Sequence, residues 1–330
     1  MTPNSRNQLL CLIALIITGI FSLSFGRVTI SPADMWVSLT APSNSPHAII
    51  LFELRLPRVL LGMMVGATLG LAGAALQGVL RNPLADPGVI GVSSSAALGA
   101  VIAIHFGMVA SWSLALPVFA MTGALVATTF LLLVSVRDSS VLMLILVGIG
   151  ISSLATALIS LVMNMAASPM SLRDMIMWIL GSLQNRTMTD LMMAMPFILI
   201  GWLMMVGVGQ GLNAISVGED TARTLGINLR GLKLRIVVGT AISVGAAVSV
   251  CGSIGFIGLV VPHITRVLFS REPGAILIPS ALMGALLLTL ADVITRLPFA
   301  GAPLQLGVVT ALIGAPCFLY IVFHTRKDMR

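Results

Sequence analysis

The sequence predicts an all-α polytopic membrane protein with about ten transmembrane helices. Apolar residues make up 58% of the 330 residues, charged residues only 9%, and the mean hydropathy is +1.08. A soluble chain of this length needs many more charges to cover its surface. The apolar residues form continuous runs close to the ~20 residues that an α-helix needs to cross a bilayer. Their Leu, Ile, Met, Ala and Gly content favours helices over barrel strands, which alternate apolar and polar residues.

Nine apolar runs are long enough to be predicted as spans. They are Leu9–Phe25, Val59–Leu80, Val89–Phe106, Leu114–Ser135, Val141–Met165, Leu191–Gln210, Leu234–Val250, Ile276–Thr295 and Leu306–Phe323. A tenth, shorter run, Ile254–Phe269, contains Pro262 and His263. The first run resembles a signal peptide, but it is rather long and Gly26–Arg27 offers no small-residue cleavage site. We therefore expect it to be a retained helix.

The basic residues indicate how these helices are oriented. With ten helices and both termini in the cytoplasm, twelve of the 18 Lys and Arg residues fall in inside segments. The excess has the sign of the positive-inside rule, so we expect a multi-pass membrane protein with both termini in the cytoplasm. This topology also accounts for a pI near 10.6 without a nucleic-acid partner.

The sequence argues against catalytic and metal-binding functions. A Walker A loop needs Gly directly before Lys, but Lys233 follows Leu232 and Lys327 follows Arg326, so any ATP hydrolysis needs another subunit. Four scattered His and three widely spaced Cys residues predict neither a metal site nor a disulfide framework. No nucleophile motif is present either, so we expect neither an enzyme nor a bound cofactor.

An ion-coupled secondary transporter is the main alternative from another class. Such transporters usually carry ionisable groups in mid-membrane. Among the acidic residues only Asp292 lies within a predicted span, and Arg296 follows it by one helical turn near the helix end. This spacing favours a structural ion pair over a proton relay.

Small residues and helix breakers organise the spans. The second span has a small residue at every fourth position, which predicts a smooth ridge for close helix packing; these are Gly62, Gly66, Gly70, Ala74 and Gly78. After it, Asp86 and Pro87 suit the cap and first position of a new helix. A second Gly/Pro break follows the seventh helix. We therefore predict that helices 2–5 and 7–10 form an inverted repeat, which is common in transporters.

The longest inside loop predicts a short cytoplasmic helix over about residues 216–226. Ser216 and Glu219 have the spacing of a capping box, acidic residues occupy the first turn, and Gly226 suits the position after the helix. The helix could be an ordinary surface helix or a rigid contact for a partner protein.

Six stretches in the correct order resemble the FecCD family of ABC-transporter permeases, which import iron–siderophores, haem and cobalamin. They are Arg55–Arg58, Gln77–Pro87 with Gly91, Trp178–Ser182, Glu219–Gly226, Gly255–Arg266 and Gly307–Pro316. Two departures concern Ser95, where the family often has Gly, and Pro303–Leu306, where it often has Pro-Glu-Leu-Pro. The resemblance covers nearly the whole chain and implies a single transmembrane domain over 1–330.

The resemblance also implies partners and residue roles. The partners are two cytoplasmic ABC ATPases, a periplasmic or lipid-anchored substrate-binding protein and a second permease subunit, for which we favour a homodimer over a heterodimer. Glu219, Asp220, Thr221, Ala222, Arg223, Leu225 and Gly226 resemble the coupling helix that contacts the ATPase. Arg55, Arg58 and Arg296 resemble arginines that dock the binding protein, with lipid anchoring as the alternative role. Asn82, Leu84, Ser139 and Ser140 resemble the cytoplasmic gate, with helix capping as the alternative. An iron–siderophore is the expected substrate, with haem and cobalamin as alternatives.

Overall fold

The structure, a computed structural model, describes residues 3–26, 28–40, 46–137, 141–297 and 304–328, and these residues form helices and no strands. The first eight helices are α1 (Pro3–Ser24), α2 (Pro32–Thr40), α3 (Pro46–Ile49), α4 (Leu56–Val79), α5 (Val92–His105), α6 (Met108–Ser111), α7 (Ala115–Arg137) and α8 (Val141–Asn164). The remaining eight are α9 (Pro169–Ile179), α10 (Met188–Met205), α11 (Gly209–Val217), α12 (Glu219–Thr224), α13 (Leu229–Cys251), α14 (Ile257–Leu268), α15 (Leu277–Thr295) and α16 (Leu306–Asp328). A π-helical segment, Ile50–Arg55, joins α3 to α4, and a 3-10 turn, Pro87–Ile90, precedes α5.

The helices confirm the predicted all-α polytopic architecture. Among the described residues, seven helical segments are long and apolar enough to cross a membrane, and three shorter apolar helices accompany them. The seven are α1, the continuous segment Pro46–Val79, α7, α8, α10, α13 and α15, and the shorter three are α5, α14 and Leu306–Tyr320 of α16. Together they correspond to the ten predicted spans.

Several boundaries differ from the predicted ones because local backbone geometry ends a helix inside an apolar run. The sixth span was predicted to reach Gln210, but α10 ends at Met205, and Gly207 adopts a left-handed conformation with φ of +77°. The eighth was predicted from Ile254, but α14 begins at Ile257, after Phe256 with φ of +68°. Hydropathy does not register either break, since the residues on both sides are apolar.

The glycine ridge of α4 packs against α15 at backbone distance. A methyl group on Gly66 would collide with the backbone carbonyl of Gly284, and one on Gly70 would collide with the carbonyl of Ser280. A third close approach joins Gly73 to the backbone of Gly258 in α14. The ridge therefore acts in packing, as its spacing predicts.

The two sets of helices in the predicted repeat pack across one another in matching pairs. α4, the first helix of the first set, packs mainly on α15 and α14 of the second set. α13, the first helix of the second set, packs most extensively on α10, which belongs to neither set, and then on α7, α4 and α5 of the first set. The first helix of each set thus contacts helices of the other set, as expected if the two sets are related by an inverted repeat.

Backbone hydrogen bonds join three helix ends beside the non-helical segment that follows α13. Ser182 N–H donates to the Cys251 carbonyl (2.7 Å), Leu306 N–H to the Gly181 carbonyl (2.9 Å), and Gly307 N–H to the Leu180 carbonyl (3.0 Å). We call this the three-helix junction, because it connects the ends of α9 and α13 with the start of α16. It satisfies backbone groups that would otherwise be costly to leave unpaired within a membrane.

Candidate functional site

The α12 segment and its flanks form the first part of the site. Gly218, with φ of +155°, separates α11 from α12, so one helix over 216–226 does not form. The predicted capping box is also wrong: Ser216 donates its hydroxyl to the Asn213 carbonyl (2.7 Å), and the cap of α12 has no side-chain hydrogen bond. Ser216 lies in the last turn of α11, and Gly218 instead of Ser216 occupies the cap position of α12.

The end of α12 agrees with the sequence prediction. Gly226 has φ of +78°, and its N–H donates to the Arg223 carbonyl (2.9 Å). The next N–H, of Ile227, donates to the Ala222 carbonyl (3.0 Å). This pair of bonds is a Schellman motif, which turns the chain sharply and leaves α12 as a compact projection.

A buried lysine anchors the start of α12 to a membrane helix. Lys233 in α13 donates to Glu219 Oε1 at 3.0 Å, with the lysine side chain 7% exposed and the glutamate side chain 33% exposed. Ala222, on α12 itself, is fully buried. Sequence reasoning missed Lys233, because its distance along the chain from Glu219 matches no helical spacing.

The side of α12 away from this anchor is exposed. Asp220 and Arg223 form only a long contact of 3.7 Å, and both side chains are largely exposed. Leu225 is 66% exposed although it is apolar. The short helix thus has one anchored side and one side with charged and apolar groups in view.

The candidate gate loop lies between α4 and α5. Asn82 Oδ1 accepts a hydrogen bond from Leu84 N–H (2.9 Å), and the Leu84 side chain is 48% exposed. Asp86 caps the following turn by accepting from Gly88 N–H (2.7 Å), as predicted, and burial raises the pKa of its carboxyl. Ser139 and Ser140 lie outside the described residues, so the gate role stays a prediction.

The three candidate docking arginines converge at the end of the molecule opposite α12. Asp292, only 2% exposed, accepts from Arg58 Nη2 (2.7 Å) and from Arg296 Nη2 (2.5 Å). The Asp292–Arg296 pair confirms the structural ion pair that the sequence predicted. Arg58, contributed by α4, is a second partner that sequence reasoning did not connect with Asp292.

The same arginines also hold the C-terminal end of α1. Arg296 Nη1 donates to the Ser22 carbonyl at 2.6 Å, and Arg55 Nη1 donates to the Leu23 and Ser24 carbonyls at 2.6 and 2.8 Å. These are carbonyls that a helix end leaves unpaired, and cations near them are favourable. Because these donors already have partners inside the chain, a docking protein would have to compete for them.

A cavity of about 660 Å³ lies at this same end, beside the three-helix junction. Its wall combines residues from the end of α5 to the start of α7 with residues of α9, of the segment after α9, of the end of α13 and of the segment before α16. The side chains of its wall that carry polar or sulfur atoms include Ser171, Asp174, Trp178, Arg186, Cys251 and Gln305. In the described part of the chain, no group of three or more His, Cys, Asp or Glu side chains lies together as a metal site would require.

Comparison with known proteins gives the family. The FecCD transport family matches residues 14–324. The chain is 36% identical over 321 residues to the hemin transport system permease protein HmuU of Yersinia pestis, covering 96% of this chain and 95% of that one. It is 37% identical over 328 residues to the vitamin B12 import system permease protein BtuC of Salmonella paratyphi A, covering 98% and 97%.

Two further similarities complete the comparison. An uncharacterized ABC transporter permease protein of Bacillus subtilis, YvrB, is 39% identical over 294 residues, covering 87% of this chain and 83% of that one. A solved structure, described as an inward-facing conformation of an ABC transporter assigned to the metal-chelate type, superposes with a TM-score of 0.85 at 31% identity, covering 97% of this chain and 99% of that one. This chain therefore belongs to the FecCD transport family and is a transmembrane permease of an ABC transporter.

Proposed function

We propose that this chain carries a ferric siderophore inward across the bacterial cytoplasmic membrane by alternating access, driven by two cytoplasmic ABC ATPases. The observation that carries the proposal is the anchored α12, with Glu219 fixed to Lys233 and with Asp220, Arg223 and Leu225 exposed. A helix with one fixed side and one free side can receive a push from a partner and pass it to the membrane helices.

The route of that push follows from the packing. Lys233 lies in the first turns of α13, and α13 packs on α10, α7 and α5. Movement of α12 would therefore act on a central helix rather than on a peripheral one. The gate residues Asn82, Leu84, Ser139 and Ser140 belong to the inside loops that such movement would open and close.

The state of Asp292 favours an external energy source over ion coupling. Its carboxylate accepts hydrogen bonds from both Arg58 and Arg296, so it is held in ion pairs that join α4 to α15. An ion-coupled secondary transporter would also leave the anchored α12 without a role. The ATP-driven importer explains both features.

The remaining partners occupy the other surfaces. A periplasmic or lipid-anchored binding protein would dock at the end that carries Arg55, Arg58 and Arg296, with Arg58 the most accessible of the paired donors at 16% exposure. A second copy of the permease would cover part of the apolar face of helices such as α8. Within the single chain, only 11% of the most apolar stretch of α8 is buried. Both termini would lie in the cytoplasm with α12.

The substrate is the least constrained part of the proposal. Relatives are named for hemin and vitamin B12, and the structural neighbour for a metal chelate. Haem and cobalamin thus remain alternative substrates for a permease of the same architecture.

The test is ATP hydrolysis by the complex reconstituted in lipid with the ATPase encoded beside it. We expect Arg223→Glu to lower hydrolysis stimulated by ligand-loaded binding protein by about fivefold or more, since it reverses an exposed charge on the contact side of α12. Arg230→Glu is the matched control, because Arg230 is exposed on the first turn of α13. If the permease purifies without an ATPase and both variants transport normally, the importer assignment fails.

The anchor can be tested separately from the contact. We expect Lys233→Met to reduce transport more than it reduces hydrolysis, because α12 would still meet the ATPase but would no longer move with α13. Exchanging the charges in Glu219→Lys/Lys233→Glu should recover part of the lost transport. Equal losses of transport and hydrolysis in Lys233→Met would contradict this role of the ion pair.

A further inference from the structure

Asn213, in the middle of α11, joins this helix to the loop of residues 269–276 between α14 and α15. Its Oδ1 accepts a hydrogen bond from Gly274 N–H at 2.7 Å, and its Nδ2 donates to Glu272 Oε2 at 3.2 Å. A backbone N–H needs an acceptor and a carboxylate needs a donor, so only this orientation of the amide serves both. Asn213 and Gly274 are 61 residues apart, so the side chain ties together two distant segments.

α11 and this loop also touch through their backbones. A methyl group on Gly274 would collide with the backbone carbonyl of Gly209, the first residue of α11. The loop therefore meets α11 at its first residue and again at Asn213, one helical turn later. Two contacts on successive turns fix both the position and the rotation of the helix against the loop.

The same two segments support the end of α4. A methyl group on Gly78 would lie 3.1 Å from Leu212 Cδ2 in α11 and 3.4 Å from Pro273 Cβ in the loop. Leu212 is fully buried. The candidate gate loop starts directly after this contact, where Asn82 N–H donates to the Gln77 carbonyl at 3.2 Å. The chain that enters the gate loop thus rests on α11 and on the 269–276 loop together.

At its other end α11 leads directly into α12. Gly218 alone separates the two helices, and it takes part in the hydrogen bonds of both. Its N–H donates to the Ala214 carbonyl (3.4 Å), and its own carbonyl accepts from Ala222 N–H (3.0 Å). This connection is separate from Lys233, which ties α12 to α13.

We propose that Asn213 is a positioning residue that passes movement of α12, through α11 and the 269–276 loop, to the end of α4 and the candidate gate loop. The inference rests on the proposed import function and adds to it a second connection beside the one through α13. Apolar contacts such as that of Leu212 with Gly78 permit sliding, whereas the directional bonds of Asn213 hold α11 and the loop in one register. Without them α12 could move while the end of α4 stays in place.

The test is hydrogen exchange, followed by mass spectrometry, on the permease–ATPase complex in lipid nanodiscs. The nucleotide-free complex is compared with the complex trapped by ATP and vanadate, so no transported ligand is needed. In wild type we expect trapping to change exchange in segment 219–226 and in segment 79–91, which contains the gate loop. In Asn213→Ala the change at 219–226 should remain, while the change at 79–91 should fall by about half or more.

Asn228→Ala is the matched control. Asn228 Oδ1 also accepts from a glycine N–H, that of Gly231 at 3.0 Å, but this bond lies within the start of α13 and joins no separate segments. We expect this variant to respond to trapping as wild type does. A purely structural role for Asn213 would instead raise exchange equally in the free and trapped complexes, which would overturn the proposal.

A charge exchange tests the bonds themselves and does not require Asn213→Ala to fold. Asn213→Asp places a second carboxylate against Glu272 and should weaken the response of segment 79–91. Asn213→Asp/Glu272→Gln should restore it, because the aspartate can accept from both Gly274 N–H and the new amide. Equal responses of the single and double variants would contradict the proposal.

The two segments separate this inference from the proposed function. If trapping changes exchange at 219–226 but not at 79–91 in wild type, or if Asn213→Ala responds as wild type does at both, the role of Asn213 is wrong and the import function stands. If segment 219–226 of wild type does not respond to trapping, the contact between α12 and the ATPase is wrong, and both conclusions fail.

Discussion

Replacing Asp292 by Asn should destabilise the protein more than any conservative change at an exposed acid. Asp292 is 2% exposed and accepts from two guanidinium groups, on Arg58 and Arg296, whose side chains are 16% and 7% exposed. Asn keeps the size but removes the charge, so two arginines lose their counter-charge in a poorly hydrated position. Breaking a buried ion pair from one side costs about 3–5 kcal/mol. For a chain of this size this corresponds to a fall in unfolding temperature of roughly 4–7 °C.

The assay is thermal unfolding of the purified permease in detergent, followed by tryptophan fluorescence. Asp220→Asn is the control, because Asp220 is almost fully exposed and its 3.7 Å contact should contribute little. A double-mutant cycle with Arg296→Met should give a coupling free energy of at least about 1 kcal/mol. An unfolding temperature for Asp292→Asn equal to that of wild type, or additive effects in the cycle, would refute the reasoning.

Three further predictions use the same unfolding assay. Gly66→Ala should destabilise the protein severely, because the added methyl group would meet the backbone of α15. Gly150→Ala should be tolerated, because the position of its added methyl group is open space. Arg81→Gly should stabilise by up to about 1 kcal/mol, since Arg81 is exposed and has φ of +50°. Burial raises the pKa of Asp86, so stability should decline as pH rises from its unfolded-state pKa through its folded-state pKa. Asp86→Asn, which can still cap the turn, should flatten that pH dependence, and a steeper dependence would contradict it.

Local features of the fold were predictable from the sequence because each depends on a few neighbouring residues. The apolar runs indicated the spans, Asp86 before Pro87 indicated a capped turn, and Gly226 indicated a helix end. The break at Gly218 is local as well, but glycine does not by itself show whether it interrupts a helix. In the same short stretch, the spacing of Ser216 and Glu219 predicted a capping box. In the structure Glu219 is paired with Lys233 instead, and the cap of α12 has no side-chain hydrogen bond.

Contacts between distant segments were beyond sequence reasoning. Arg58 and Asp292 are 234 residues apart, and only the packing of α4 on α15 brings them together. The same holds for the cavity, whose polar atoms come from segments on both sides of α10 and α13. Each of these residues taken singly resembles an ordinary polar residue near a membrane surface. The contacts that these residues make depend on which helix ends the fold brings together.

The three-helix junction holds the ends of α9 and α13 and the start of α16 together through backbone atoms alone. Its bonds run between backbone atoms, so side chains around it can be exchanged without altering the bonds, while a one-residue deletion within 180–182 would displace all three together. Ser182, Cys251 and Gln305 extend from this region into the cavity wall. Substitutions there can therefore change the shape and polarity of the cavity while chain length and helix positions stay constant.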